Sequence, residues 1–161
     1  MVETASDTKP SASLLVPCRA EYVSLGRLVA GALGAREGLD EEIIADIKVV
    51  VTEAFNFFLG GEDGCVDVQY GEEAGRSIQS EPSCLLLDFT VGPDEWVILI
   101  SNPDRRRRIS QASLGEPMSE RMLGLTIIEA LVDSMERTDS DEEGSAFRLT
   151  KRVSPPAAEA G

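Results

Sequence analysis

The spacing of apolar and polar residues along the chain predicts three helices and five strands. Apolar residues at helical spacing predict helices over Glu21–Glu37, from Asp40 to the glycines at 60 and 61, and over Leu123–Met135. Short apolar or alternating runs bounded by turn residues predict strands. These strands are Ser13–Val16, Cys65–Tyr70, Leu85–Val91, Trp96–Ser101 and Ser145–Val153.

The resulting order, β-α-α-β-β-β-α-β, indicates an α/β (α+β) fold. Two predicted hairpins favour a mixed, mostly antiparallel sheet, and the helical stripes favour helices on one face of it. Gly38 is expected to cap the first helix, and Asp40 to begin the second. The acidic segment Thr138–Gly144 is expected to be a loop before the last strand. The prediction is a two-layer α/β sandwich.

The ends of the chain differ in composition from its middle. Residues 1–12 and 154–161 are polar or proline-containing and carry no apolar pattern, so they are expected to be flexible tails. Residues 13–153 have no internal repeat and are of a length that suits one domain. With 42% apolar residues, the chain can build a hydrophobic core.

Composition excludes several kinds of chemistry. The chain has no histidine, and its three cysteines form no C-x-x-C pair, so an imidazole base and a zinc site are not expected. The net charge of −14 argues against binding nucleic acid or an anionic membrane, because both require a positive surface. The sequence shows neither a signal peptide nor a membrane span, which favours the cytoplasm.

Four segments, in this order, resemble one protein family. They are Val16–Val23, Ile47–Ala54, Met122–Asp133 and Gly144–Lys151. Together they resemble the anti-sigma-factor serine/threonine kinases of the Bergerat-fold ATPase superfamily, which also contains histidine-kinase catalytic domains (GHKL). The resemblance spans roughly residues 14–153 and implies a Bergerat-type sandwich that binds ATP with Mg²⁺. It also implies a homodimer that binds a sigma factor and an anti-anti-sigma protein of the STAS type.

The first ATP-binding segment of the family is a helix that carries Glu and, four residues later, Asn. Glu53 matches the Glu, which acts as base or positions water, so it is the candidate catalytic residue. The position of the Asn, a Mg²⁺ ligand in the family, is Phe57. Asn56 is the neighbouring candidate, but one residue is about 100° around a helix, so it is expected to point away from the place that Glu53 and Phe57 share.

The other two ATP-binding segments are also altered. Asn102 stands where the family has an Asp that accepts a hydrogen bond from adenine, and the two glycines expected after it are absent. An Asn amide oxygen can still accept that bond. Gly124 is the one glycine kept before the third helix, where backbone amides would approach phosphate. Arg105, in a run of four arginines, is a candidate phosphate ligand, although a solvated loop is the simpler interpretation.

The sequence therefore leaves two functions open. The favoured one is an anti-sigma-factor-like regulator that binds partner proteins. Its ATP site and its serine kinase activity are both degraded. The alternative is an active ATP-dependent serine/threonine kinase that phosphorylates an anti-anti-sigma factor. No metal ligand is assigned among the residues, since Phe57 cannot coordinate Mg²⁺.

Overall fold

The computed structural model describes residues 10–59, 84–102, 120–140 and 144–153. These ranges contain the strands β1 (Ala12–Pro17), β2 (Cys84–Val91), β3 (Glu95–Ser101), β4 (Ser134–Ser140) and β5 (Gly144–Arg152). They also contain the helices α1 (Val23–Glu37), α2 (Glu41–Leu59) and α3 (Glu120–Leu131), with a short 3-10 helix, Ala20–Tyr22, before α1. Some predicted features lie outside the described residues. They are the strand Cys65–Tyr70 and the chain ends before residue 10 and after residue 153.

The strands form one sheet in the order β1-β2-β3-β5-β4, and each described pair of neighbours is antiparallel. The register brings buried residues of neighbouring strands side by side, with Leu87 opposite Ile100 and Ile98 opposite Leu149. Because side chains alternate between the faces of a strand, these residues all lie on one face. The predicted two-layer α/β fold is confirmed.

Helix α2 provides the largest helical contribution to the core. Its buried residues are Ile47, Val50, Val51, Ala54, Phe55, Phe57 and Phe58. Helix α1 lies against both α2 and the sheet at Gly26, where an added Cβ atom would be 3.1 Å from Val51 Cγ1 and 3.3 Å from Leu87 Cδ2. Close packing of these layers removes apolar surface from water, which is the main force that stabilises the fold.

The junction between α1 and α2 has the predicted cap. Gly38 has φ of 70°, a left-handed conformation that glycine adopts at little cost. Its N–H donates to the Ala35 carbonyl at 3.2 Å, and the Leu39 N–H donates to the Gly34 carbonyl at 3.0 Å. These bonds satisfy carbonyls at the end of α1 and let the chain turn into α2.

The structure differs from the prediction after the third helix. Helix α3 ends at Leu131, not at Met135, and the first three residues of the expected loop Thr138–Gly144 belong to the edge strand β4, while Gly144 begins β5. Tertiary contacts explain the early end: the Asp133 N–H donates to the Thr150 carbonyl at 2.8 Å, and Asp133 Oδ2 accepts the Arg152 N–H at 2.6 Å. The backbone of β4 forms its hydrogen bonds with β5. The strand can therefore form although its sequence is polar and shows no alternation of apolar and polar residues.

A single lysine joins three elements at this end of the sheet. Lys151 of β5 pairs with the buried Trp96, so its side chain starts on the face covered by helices. Its Nζ lies 2.7 Å from the carbonyl oxygen of Leu131, at the end of α3, and 3.2 Å from Asp46 Oδ2 on α2. The side chain of Lys151 is 13% exposed, so this ion pair is largely shielded from solvent.

None of the helices in the described ranges is long and apolar enough to cross a membrane.

Replacing Lys151 should destabilise the fold. We expect Lys151→Met to lower the free energy of unfolding by about 1–3 kcal/mol, because it removes a charged donor from a helix-end carbonyl and leaves Asp46 without its cation. Urea denaturation followed by circular dichroism measures the change. The matched control is Glu21→Gln, which breaks an exposed ion pair with Arg19 and should cost less than about 1 kcal/mol. Equal stability of the Lys151 variant and the wild type would contradict the role assigned to this contact.

Candidate functional site

The rotation of α2 about its axis decides which residues face the candidate site. Its apolar face is buried against the sheet, while Glu53 is half-buried and Asn56 is exposed. Residues three and four apart are neighbours on a helix surface, so Asn56 and Phe57 both adjoin Glu53. Glu53 therefore lies at the edge between the buried face of α2 and its open side, the exposed side that carries Asn56.

Phe57 belongs to the core, not to this open side. Its side chain is 3% exposed, and its ring centroid lies 4.7 Å from that of Phe147 and 6.2 Å from that of Phe58, in edge-to-face geometry. The guanidinium carbon of Arg137 lies 5.4 Å from the centroid of the Phe57 ring. An aromatic ring held in this way offers no oxygen ligand, so position 57 does not fit Mg²⁺.

Helix α2 runs without a break to Leu59, so the angle of about 100° between successive residues applies at this position. Around the helix axis, Phe57 is about 40° from Glu53 and is buried, whereas Asn56 is about 60° from Glu53 in the opposite direction and is exposed. Glu53 therefore lies between them, at the edge of the apolar face. The large aromatic residue at position 57 extends that face, and its burial helps to set the rotation of the helix.

Glu53 and Gly124 come together where α2 passes α3. A Cβ atom built on Gly124 would lie 2.9 Å from Glu53 Oε2 and 4.0 Å from Glu53 Cβ. Gly124 is itself buried. Two candidate residues that are 71 positions apart in the sequence are therefore in direct contact across the two helices.

Asn102 lies at the end of β3, on the same end of the sheet. It is 5% exposed, and its backbone N–H donates to the Ser145 carbonyl at 3.0 Å. Ile100, two residues earlier, pairs with Phe147, the residue that contacts Phe57 one turn after Glu53. The register thus brings the end of β3 to the same end of the fold as Glu53.

Arg105 and the rest of its arginine run lie outside the described residues. Arg137 was not among the candidates, because the prediction placed it between a helix and a loop. Its place on β4, next to Phe147 of β5 in the register, brings it to the Phe57 ring. No sequence pattern marked that contact, since the pairing of β4 is decided by β5.

The described residues fit the parts of an ATP-binding site unevenly. Glu53 supplies a carboxylate, Asn102 an amide, and Gly124 a stretch of helix without a side chain. In the described ranges, no group of three or more Cys, Asp or Glu residues is placed to hold a metal ion. The prediction placed Gly124 before the third helix, but α3 begins at Glu120, so Gly124 lies inside the helix as its fifth residue. Its N–H is therefore not among the first four amides of the helix, which lack a partner within it. Phe57 does not provide a ligand for Mg²⁺.

Comparison with known proteins gives the family. The sequence profile of the histidine kinase-like ATPase domain matches residues 16–151. This chain belongs to that family. The match includes α2, β3, α3 and β5, the elements that bring Glu53, Asn102 and Gly124 to one end of the fold.

Curated relatives of this histidine kinase-like ATPase domain include two proteins from Listeria. The serine-protein kinase RsbW of Listeria innocua serovar 6a is 30% identical over 150 residues, which cover 88% of this chain and 86% of the relative. The serine-protein kinase RsbW of Listeria monocytogenes serovar 1/2a is 29% identical over 157 residues, with the same coverage. The resemblance to anti-sigma-factor serine kinases is confirmed.

A solved structure agrees with the fold. The structure of the RsbU and RsbW domains of a Mycobacterium tuberculosis protein matches 92% of this chain with a TM-score of 0.53 and 19% identity. The match covers 34% of the Mycobacterium tuberculosis chain, which is therefore much longer than this one. At this level of identity, the match supports the histidine kinase-like fold and not the chemistry of the site.

The rotation of α2 can be tested by stability. Phe57→Ala should lower the free energy of unfolding by about 3–5 kcal/mol, because it removes a buried ring and leaves a cavity. Asn56→Ala, one residue earlier on the exposed side, should change it by less than about 0.5 kcal/mol. Urea denaturation measures both. A larger loss in the Asn56 variant than in the Phe57 variant would show that α2 is rotated differently.

Proposed function

We propose that this protein is a bacterial anti-sigma-factor-type regulator that acts by binding partner proteins, with an ATP site that no longer supports efficient Mg²⁺-dependent phosphoryl transfer. The observation that carries the proposal is the burial of Phe57 among Phe58 and Phe147, at the position where related kinases have a Mg²⁺ ligand. Phosphoryl transfer depends on positioning and on neutralising phosphate charge, and the cation supplies much of that neutralisation.

Two further features support a weakened site. Asp104 and Arg106 stand at the two positions after Asn102 where the family has glycines, so the chain there carries side chains where the family has bare backbone, and Pro103 lies between Asn102 and Asp104. Proline also lacks a backbone N–H that could donate to a nucleotide. What remains is the carboxylate of Glu53, the amide of Asn102 and Gly124, which is buried against Glu53 inside α3. We propose that these groups support nucleotide binding without efficient phosphoryl transfer.

Partner binding is supported by the family and by the charge. The relatives that match nearly the whole chain are RsbW serine-protein kinases. A net charge of −14 would steer the chain toward a partner with a basic surface and raise the rate of association. We propose that the partners are a sigma factor and a STAS-type anti-anti-sigma protein, bound by a homodimer in the cytoplasm.

An active serine/threonine kinase is the second candidate. One observation favours it: Asn56 is exposed and, three residues after Glu53, adjoins it on the surface of α2. An amide oxygen is a suitable Mg²⁺ ligand, so Asn56 would replace the missing residue at position 57. The two candidates differ in whether the cation strengthens nucleotide binding and whether phosphate is transferred.

Nucleotide titrations separate the two candidates. We expect Mg²⁺ to change the affinity for a fluorescent ATP analogue by less than about threefold, because the buried Phe57 supplies no ligand. Titrations with and without Mg²⁺, on the wild type and Asn56→Ala, measure this. A Mg²⁺ enhancement of tenfold or more that disappears in the Asn56 variant would instead support the kinase.

Transfer of labelled phosphate gives the direct test of the regulator. Wild type and Glu53→Ala should retain the same co-purifying partner from the source bacterium, since binding does not require the carboxylate. Neither should transfer labelled γ-phosphate to it. The matched control is Glu129→Ala, which removes an exposed carboxylate from α3. The proposal would be overturned if the wild type and the Glu129 variant both transferred labelled phosphate to the partner and the Glu53 variant did not.

A further inference from the structure

Gly124 lies inside a helix and, like Gly31 and Gly34 of α1, packs closely against a side chain of α2, which here is that of Glu53. Gly124 is the fifth residue of α3, which continues to Leu131. Glycine is less favourable than alanine in a helix interior, because it loses more conformational freedom on folding. Backbone conformation does not require glycine at position 124. Among the residues that the structure describes, Gly38 is the glycine with a positive φ. Another cause must favour glycine at this position.

The surroundings of Gly124 supply that cause. Among the described residues, the atoms within 4 Å of an added Cβ are Glu53 Oε2 at 2.9 Å and Glu53 Cβ at 4.0 Å. The first distance is shorter than the van der Waals contact of a carbon and an oxygen atom, while the second is an ordinary contact. A side chain at position 124 would therefore displace the carboxylate and little else in the described part of the fold.

We propose that Gly124 is a positioning residue for Glu53: its missing side chain holds open the space that the carboxylate occupies between α2 and α3. This goes beyond a role for Gly124 in phosphate approach, because it acts through the carboxylate and is present without nucleotide. Its consequence for function rests on the proposed nucleotide site, in which the Glu53 carboxylate faces the phosphate end. The positioning itself does not depend on nucleotide.

The first test is a double-mutant cycle on thermal stability. In the Glu53→Ala background, Gly124→Ala should raise Tm by about 2–4 °C, because alanine favours the helix and nothing is displaced. In the wild-type background, the same change should raise Tm by less than about 1 °C, because moving the carboxylate offsets the gain. Equal changes of Tm in both backgrounds would overturn the proposal.

Two controls distinguish a steric effect of the Glu53 side chain from an effect of its charge and from the general effect of replacing glycine by alanine in a helix. Glu53→Gln keeps the size of the side chain, so Gly124→Ala in that background should behave as it does in the wild type. A gain like that of the Glu53→Ala background would overturn the steric explanation. Gly31→Ala is the matched helical glycine, where an added Cβ would meet Lys48 Cε at 2.7 Å. Its effect on Tm should be the same with and without the Glu53 carboxylate.

The second test uses a fluorescent ATP analogue and distinguishes positioning from direct phosphate contact. With the carboxylate removed by Glu53→Ala, Gly124→Ala should change affinity by less than about twofold, because the added methyl group meets open space. With Glu53 present, we expect a change of about threefold or more, since the carboxylate leaves its place. An equal loss in both backgrounds would assign Gly124 to phosphate directly and overturn its positioning role. If no variant binds the analogue, the proposed nucleotide site fails, and the Tm cycle still decides whether Gly124 positions Glu53.

Discussion

The burial of one face of α2 against the sheet is the constraint on which the rest of this structure depends. Seven residues of that helix are buried, and a helix with so wide an apolar face has one favourable rotation. That rotation turns Phe57 into the core, leaves Asn56 exposed and places Glu53 between them, against Gly124 of α3. The chemistry available to the site is therefore a consequence of core packing, because the same helix supplies both the core and the candidate catalytic carboxylate.

The second helix of the site, α3, depends on contacts that are distant in sequence. Lys151 binds the last carbonyl of α3 and the carboxylate of Asp46, which ties the end of that helix to α2 and β5. Toward the other end, Gly124 allows the Glu53 carboxylate to lie against the α3 backbone. Different contacts therefore join the two ends of α3 to α2. Lys151 links the C-terminal end of α3 to Asp46. Nearer the N-terminal end, Glu53 packs against Gly124, which has no side chain.

Scaffold and chemistry are separate properties in this family member. The profile match over residues 16–151 and the relatives at about 30% identity follow the helices, the strands and their order. Such similarity reflects the packing of many apolar positions, and it tolerates changes at a few site positions. A chain can therefore keep the histidine kinase-like fold while the residues of its site change, and its activity has to be argued from the site itself.

The three helices, the strands β1, β2, β3 and β5 and the α/β class could all be predicted from the amino-acid sequence, because apolar periodicity reports which faces are buried. The sequence also selected Glu53 and Gly124, through their spacing within family-like segments. Three features became visible only in the folded molecule: these two residues touch, Phe57 is buried against Phe147, and residues after Leu131 form β4. The physical reason is that these features depend on neighbours distant in the chain: a helix rotation is set by the whole core, and an edge strand by the strand that provides its hydrogen bonds.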